Sequence, residues 1–103
     1  MRKAKVSMFG LPAGVLEEIE HNKKYRFVYD EGYEGEPVSL TMPVNKKEFE
    51  YSTFPPFFDG VLPEGVMLEG LLRQKKIDKN DYFSQLIAVG ADLVGAVTVE
   101  ELI

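Results

Sequence analysis

His21 is the single histidine of the chain, and there is no cysteine. Neither a zinc site built on nitrogen and sulfur ligands nor a histidine-activated nucleophile can be assembled from those residue types. In the polar run His21-Asn22-Lys23-Lys24 the imidazole reads as a solvated turn residue. Carboxylates are more plentiful. Asp30, Glu31, Glu34 and Glu36 form an acidic cluster, but they lack the alternating oxygen ligands, the glycine in register and the terminal bidentate Glu of a calcium loop. Gly90-Ala91-Asp92-Leu93-Val94-Gly95 has the glycine spacing of a phosphate-binding loop, yet Ala96-Val97 stands where Lys and Ser or Thr are required. Gly90 as a helix stop and Gly95 as a packing glycine account for it. No carboxylate pair has a neighbour that would drive its two pKa values apart. The residue types therefore predict no enzyme, no cofactor and no metal.

What remains is the chemistry of docking, concentrated between Phe54 and Arg73. Phe57, Phe58, Leu62, Pro63, Glu64, Gly65, Val66 and Met67 are the candidate partner-binding residues. Pro63 suits the first turn of a helix, where its missing N–H would be unpaired anyway, and Glu64 puts negative charge at the positive end of the helix dipole. Turning about 100° per residue, Met67, Leu68, Leu71 and Leu72 span roughly 140° and form the expected buried stripe. Val66 falls outside it, on the Glu69-Gly70-Arg73 side. A lone exposed valine needs no explanation. With Met67 at the stripe's edge, it also makes an apolar tip for insertion into a partner, a role that suits the flexible methionine thioether.

The elements that position this stretch read as strands first and helices later. Apolar residues alternate around Val6-Ser7-Met8, and Gly10-Leu11-Pro12-Ala13-Gly14 is turn chemistry returning the chain into Val15 to Glu20. Tyr25, Phe27 and Tyr29 mark one face of a third strand, broken by Asp30-Glu31-Gly32. Val38, Leu40 and Met42, alternating with Ser39 and Thr41, predict a fourth strand ended by Pro43. Val44 to Gly60 is an aperiodic aromatic segment whose length points to a functional loop. A helix is predicted from Pro63 to about Lys76, and a second is predicted to be capped by Asp78, carry Tyr82, Phe83, Leu86 and Ile87 on one face and stop at Gly90. Leu93 to Val99 has a strand's composition, with Gly95-Ala96 small enough to admit another backbone. The expected fold is α+β: a small, mainly antiparallel sheet of about five strands with two helices between the fourth and last.

At 103 residues, with 45% hydrophobic and 28% charged content, the chain has the size and balance of a single folded domain spanning 1–103. A net charge of −5 works against binding phosphate backbones, and Lys23-Lys24 and Lys46-Lys47 fall in predicted turns. Arg73, Lys75 and Lys76 complement a helix end. No direct nucleic-acid contact is expected. No run approaches the ~20 apolar residues that cross a bilayer, and the amino terminus lacks the apolar core of a secretory signal. Absence of cysteine fits a reducing compartment, so the expected location is the cytoplasm.

The run Phe57-Phe58-Asp59-Gly60-Val61-Leu62-Pro63-Glu64-Gly65 resembles the FF…LLPEG signature of the first N-terminal subdomain of HipA-type serine/threonine kinases. The Gly10 to Leu16 turn, Phe27-Val28-Tyr29-Asp30, Pro37-Val38-Ser39-Leu40-Thr41-Met42-Pro43, Asp81-Tyr82-Phe83, Gly90-Ala91-Asp92 and Gly95-Ala96-Val97 fit the same family in the same order. The resemblance covers nearly the whole chain and brings none of the kinase's catalytic motifs. A free-standing copy resembles HipS, the small component of three-gene HipBST toxin–antitoxin systems. That likeness implies an antitoxin that binds and restrains a HipT-like kinase lacking this subdomain, with a HipB-like DNA-binding protein in the larger complex. It also implies that the residue after Leu-Pro-Glu-Gly, here the small Val66, reaches toward the kinase active site. The alternative is a detached scaffold that completes the kinase without inhibiting it.

Overall fold

The computed structural model describes residues 1–93 and 95–102 of the chain. Strands β1 (Arg2–Met8), β2 (Leu11–Glu20) and β3 (Lys24–Tyr29) form an antiparallel meander. Strand β4 (Glu48–Tyr51) pairs with β3 and β5 (Val97–Leu102) with β1, giving the order β4-β3-β2-β1-β5. Between β4 and β5 lie a short helix α1 (Pro56–Gly60), then α2 (Gly65–Lys75) and α3 (Tyr82–Val89), the last running into a 3₁₀ turn at Gly90–Asp92. The α+β class and the five-stranded antiparallel sheet are those expected; α1 is additional. Among the described residues no helix is long and apolar enough to cross a membrane.

Period-two alternation makes the sheet one-sided. Ala4 and Val6 of β1, Leu16 of β2, and Tyr25, Phe27 and Tyr29 of β3 are buried, and Phe58, Phe83 and Leu86 from the helices close the core over them. The Phe27 ring meets Tyr29 edge-on at 4.9 Å and Phe58 at 6.1 Å. On the other face Lys3, Glu17 and Arg26 stand opposite one another across three strands. Glu17 accepts from Arg26 Nε at 2.9 Å and pairs with Lys3 Nζ at 3.3 Å. Burial pushes the Glu17 carboxyl up, but the hydrogen bonds from Arg26 and Lys3 outweigh it and hold the group below its ordinary value.

The chain reverses between β1 and β2 at Phe9-Gly10, not across Gly10 to Gly14. Met8 pairs with Leu11, and both turn residues have positive φ, 50° for Phe9 and 81° for Gly10. This is a two-residue type I′ turn, whose twist suits a hairpin. Glycine adopts that conformation freely; a bulky side chain does so at a cost of about 1–2 kcal/mol. Gly14 lies already inside β2, where a Cβ would come within 2.4 Å of the Val28 carbonyl oxygen.

The segment Val38 to Met42 is not a strand. Its alternation reflects anchoring around one hydroxyl: Val38 N–H donates to Tyr29 Oη at 2.9 Å, and Tyr29 Oη donates to the Met42 carbonyl. Met42 N–H closes a turn on Ser39 O at 3.0 Å. Val38 and Met42 are thereby buried while Leu40 projects into solvent, 96% exposed. The fourth strand falls instead at Glu48–Tyr51, inside the segment expected to be a loop, which also contains α1.

Other boundaries move by a few residues. Helix α2 begins at Gly65, so Pro63 precedes the first turn rather than occupying it. The cap of α3 is Asp81, which accepts from Ser84 N–H at 3.2 Å; Asp78 instead accepts from Asn80 N–H in the preceding turn. Strand β5 starts at Val97 and runs past Val99 to Leu102, and Val94 of the expected strand lies outside the described residues. The close backbone approach expected at Gly95 occurs at Gly90, where a Cβ would lie 2.0 Å from Val99 O.

Candidate docking surface

Leu62-Pro63-Glu64-Gly65 forms the link from α1 to α2. Glu64 is extended, with φ −130° and ψ 164°, and its side chain makes no capping bond. Gly65 then takes φ +58°, a left-handed conformation that side chains rarely adopt, and the helix begins there. Val66 and Met67, the first two side chains after this corner, are 83% and 76% exposed. The helix ends on Lys76 in a left-handed cap, with Ile77 N–H donating to Leu72 O.

The buried stripe expected along α2 is only half covered. Leu68, Leu71 and Leu72 are partly exposed, Met67 stands in solvent, and no residue of α2 is buried. The reason is its place in the fold: α2 packs chiefly on α3 rather than directly on the sheet. A helix held by one neighbour leaves much of an apolar face open.

The aromatic candidates divide by depth. Phe58 is wholly buried, stacking its ring edge against Phe57 at 5.1 Å and facing Phe27, so it anchors α1 to the core. Phe57 is half-buried on the same helix. Leu62 is buried, Pro63 half-buried, and Glu64 and Gly65 exposed. The structure thus brings Val61, Leu62, Pro63 and Met67 together with Val89 and Leu93 around a mostly apolar groove of about 620 Å³. Its floor comes from α1 and the end of α3. Its open lip is the start of α2.

A second assembly has no counterpart in sequence reasoning. Arg2 Nε and Nη2 bind Glu18 at 2.7 and 2.9 Å, Nη1 donates to Ser84 Oγ at 2.7 Å, and Nη2 reaches Asp81 at 2.8 Å. The guanidinium also lies 4.9 Å over the Phe83 ring. Glu18, His21 and Asp81 bring potential metal-ligand atoms within 4.8 Å of one another, but the Arg2 guanidinium bonds to this set and neutralises it. Hydrogen bonding to Glu18 leads the causes that raise the Arg2 pKa above its ordinary value, against burial. Burial pushes the Asp81 carboxyl up, while bonds from Arg2 and Ser84 outweigh it and hold the group low. Residues 2 and 18 lie far in sequence from 81 and 84, so no local pattern brings them together. Among the described residues every buried side-chain nitrogen and oxygen has a hydrogen-bond partner.

These features define a small α+β domain with an apolar lip and a satisfied polar interior. Residues 4–100 match the family of HipA N-terminal domains, and the chain belongs to that family. A relative from Haemophilus influenzae, an uncharacterised protein, is 32% identical over 101 residues, covering 98% of this chain and 93% of its own. The solved N-terminal domain of HipA toxin superposes with a TM-score of 0.77 at 30% identity, covering 100% of this chain and 94% of that one. Family membership makes the chain a HipA-related toxin–antitoxin component, homologous to a non-catalytic domain.

Proposed function

We propose that this chain is an antitoxin that docks on a HipT-like serine/threonine kinase lacking this domain and restrains it sterically in the cytoplasm. The observation that carries the reading is the lip of α2, where Val66 and Met67 are 83% and 76% exposed above an apolar groove. Two adjacent exposed apolar side chains at a helix start are surface that a partner gains by burying, and methionine is enriched at such contacts. The named structural relative is a domain of a toxin, and the Haemophilus influenzae relative is a protein of similar length. Together they support a domain that acts on its kinase from a separate chain. A HipB-like DNA-binding protein completes the complex in this reading, and this chain touches no nucleic acid itself.

Fully burying a Val or Met side chain is worth about 1.5–3 kcal/mol. Val66 supplies the lower end of that range, so the groove and the leucine row share the docking energy. The half-covered Leu68, Leu71 and Leu72 favour the second reading, a scaffold that completes the kinase without inhibiting it. The deciding experiment measures phosphorylation by the purified kinase with and without this chain, alongside their co-elution. Co-elution with activity lost supports restraint; co-elution with activity unchanged or raised establishes the scaffold; separate elution overturns both. Val66→Asp is expected to weaken binding at least tenfold while shifting the melting temperature of the isolated chain little.

A further inference from the structure

Phe9 is 73% exposed and Leu11 63% exposed, at the tip of the β1–β2 hairpin. The tip is unusual because Phe9 holds a positive φ of 50° at a position where Asn or Gly followed by Gly is the natural choice. Folding the hairpin does not require an aromatic there and is opposed by one. Strain retained at an exposed position points to a use outside the fold.

The surroundings indicate the kind of partner. Leu11 and Pro12 line a shallow groove of about 410 Å³ together with Asp30, Glu31 and Glu34, and no basic residue lines it. The tip is also tied to the docking lip. Phe9 N–H donates to Ala96 O at 2.9 Å, and Leu93, three residues earlier, lines the groove beneath Met67.

We infer that the Phe9-Gly10-Leu11-Pro12 tip is a second docking prong, inserted into an apolar socket bordered by Lys or Arg on the same protein partner that receives Val66 and Met67. The inference rests on the kinase-docking reading, and it adds a contact on the sheet side of the groove. The aromatic supplies the apolar anchor; the acidic rim supplies register and speeds encounter with a basic border.

The test is Phe9→Asn, which puts the preferred turn residue where the aromatic stands. The isolated chain should melt higher, by roughly 5 °C, while affinity for a HipA-type kinase lacking its own N-terminal domain, taken from the same organism, falls at least tenfold by titration calorimetry. Phe9→Tyr should leave both values near those of the unaltered chain. Glu31→Lys with Glu34→Lys should lower affinity further and reverse its decline with added salt. If Phe9→Asn melts higher yet binds as tightly as the unaltered chain, the tip is no prong and the inference is overturned. If the unaltered chain itself fails to bind the kinase, the docking reading falls and takes this one with it.

Discussion

Removing the Arg2 side chain tests whether the cluster at the edge of the core is a fastening or a surface ion pair. Arg2→Met keeps the length of the side chain and its contact with Phe83 but leaves Glu18, whose side chain is 5% exposed, without its bidentate partner. Breaking a buried pair by deleting one member costs about 3–5 kcal/mol because the other charge stays in a low-dielectric site. Here Arg2 and Asp81 keep 31% and 22% of their side-chain surface in water, so solvent screens part of the penalty. The expected loss is about 2–3 kcal/mol. In a domain of this size that lowers the melting temperature by roughly 10–20 °C. Thermal and urea unfolding followed by circular dichroism measure it. The double change Arg2→Met with Glu18→Leu should recover most of the loss, since an apolar pair of similar volume removes the stranded charge. A single-variant loss below about 0.5 kcal/mol, the level of an ordinary exposed pair, would refute the fastening and leave the β1–α3 junction to apolar packing.

Tyr29→Phe should cost about 1–3 kcal/mol in urea unfolding, because Val38 N–H and the Met42 carbonyl lose their shared buried partner; backbone exchange should speed up across 38–42 and not in β1. Leu71→Asp probes the half-covered stripe: with Leu71 only partly buried, the sheet and α3 should survive while α2 loosens. Amide exchange confined to α2 supports that outcome; global unfolding would show that α2 is integral to the core. Asp81 and Glu17 titrate below their ordinary values of 3.8 and 4.5, so the stability they contribute is fully present above those values and drains away as pH falls through the lower folded values. Melting temperature should therefore fall as the pH drops below the ordinary Glu17 value of 4.5, and Asp81→Asn should flatten part of that slope.

The meander was legible because Tyr25, Phe27 and Tyr29, and likewise Val6 and Met8, repeat at the period of a strand. Helix α3 was legible from its apolar face, and the exposure of Val66 from the angle between it and the leucines. The segment Val38 to Met42 shows where such reading fails: alternation records which side chains are buried, not where the backbone hydrogen bonds go. Those bonds go to a tyrosine hydroxyl nine residues back from Val38 and to a local turn. Strand β4 is only four residues long, Glu48–Tyr51, too short for its own periodicity to register. The leucine stripe was read as core because spacing gives the apolar face of a helix but not the thickness of what covers it. The Arg2 cluster joins positions 79 and 82 residues apart, and no local pattern encodes it.

Stability in this domain is distributed in a way that bears on docking. The sheet carries the large buried aromatics, α3 is tied to β1 by Arg2 through its own cap residue Asp81, and α2 rests mainly on α3. The proposed docking lip therefore stands on α3, which is held by the buried Phe83 and Leu86 and by the Arg2 fastening. Helices with few buried contacts open most easily and are the segments a partner completes. A substitution at Arg2, remote from Val66 and Phe9 in sequence, should accordingly weaken docking by letting α3 shift beneath α2. A change at Val66 should weaken it by removing the contact itself. The two are separable: the Arg2 change should lower the melting temperature of the isolated chain along with its affinity, and the Val66 change should lower affinity alone.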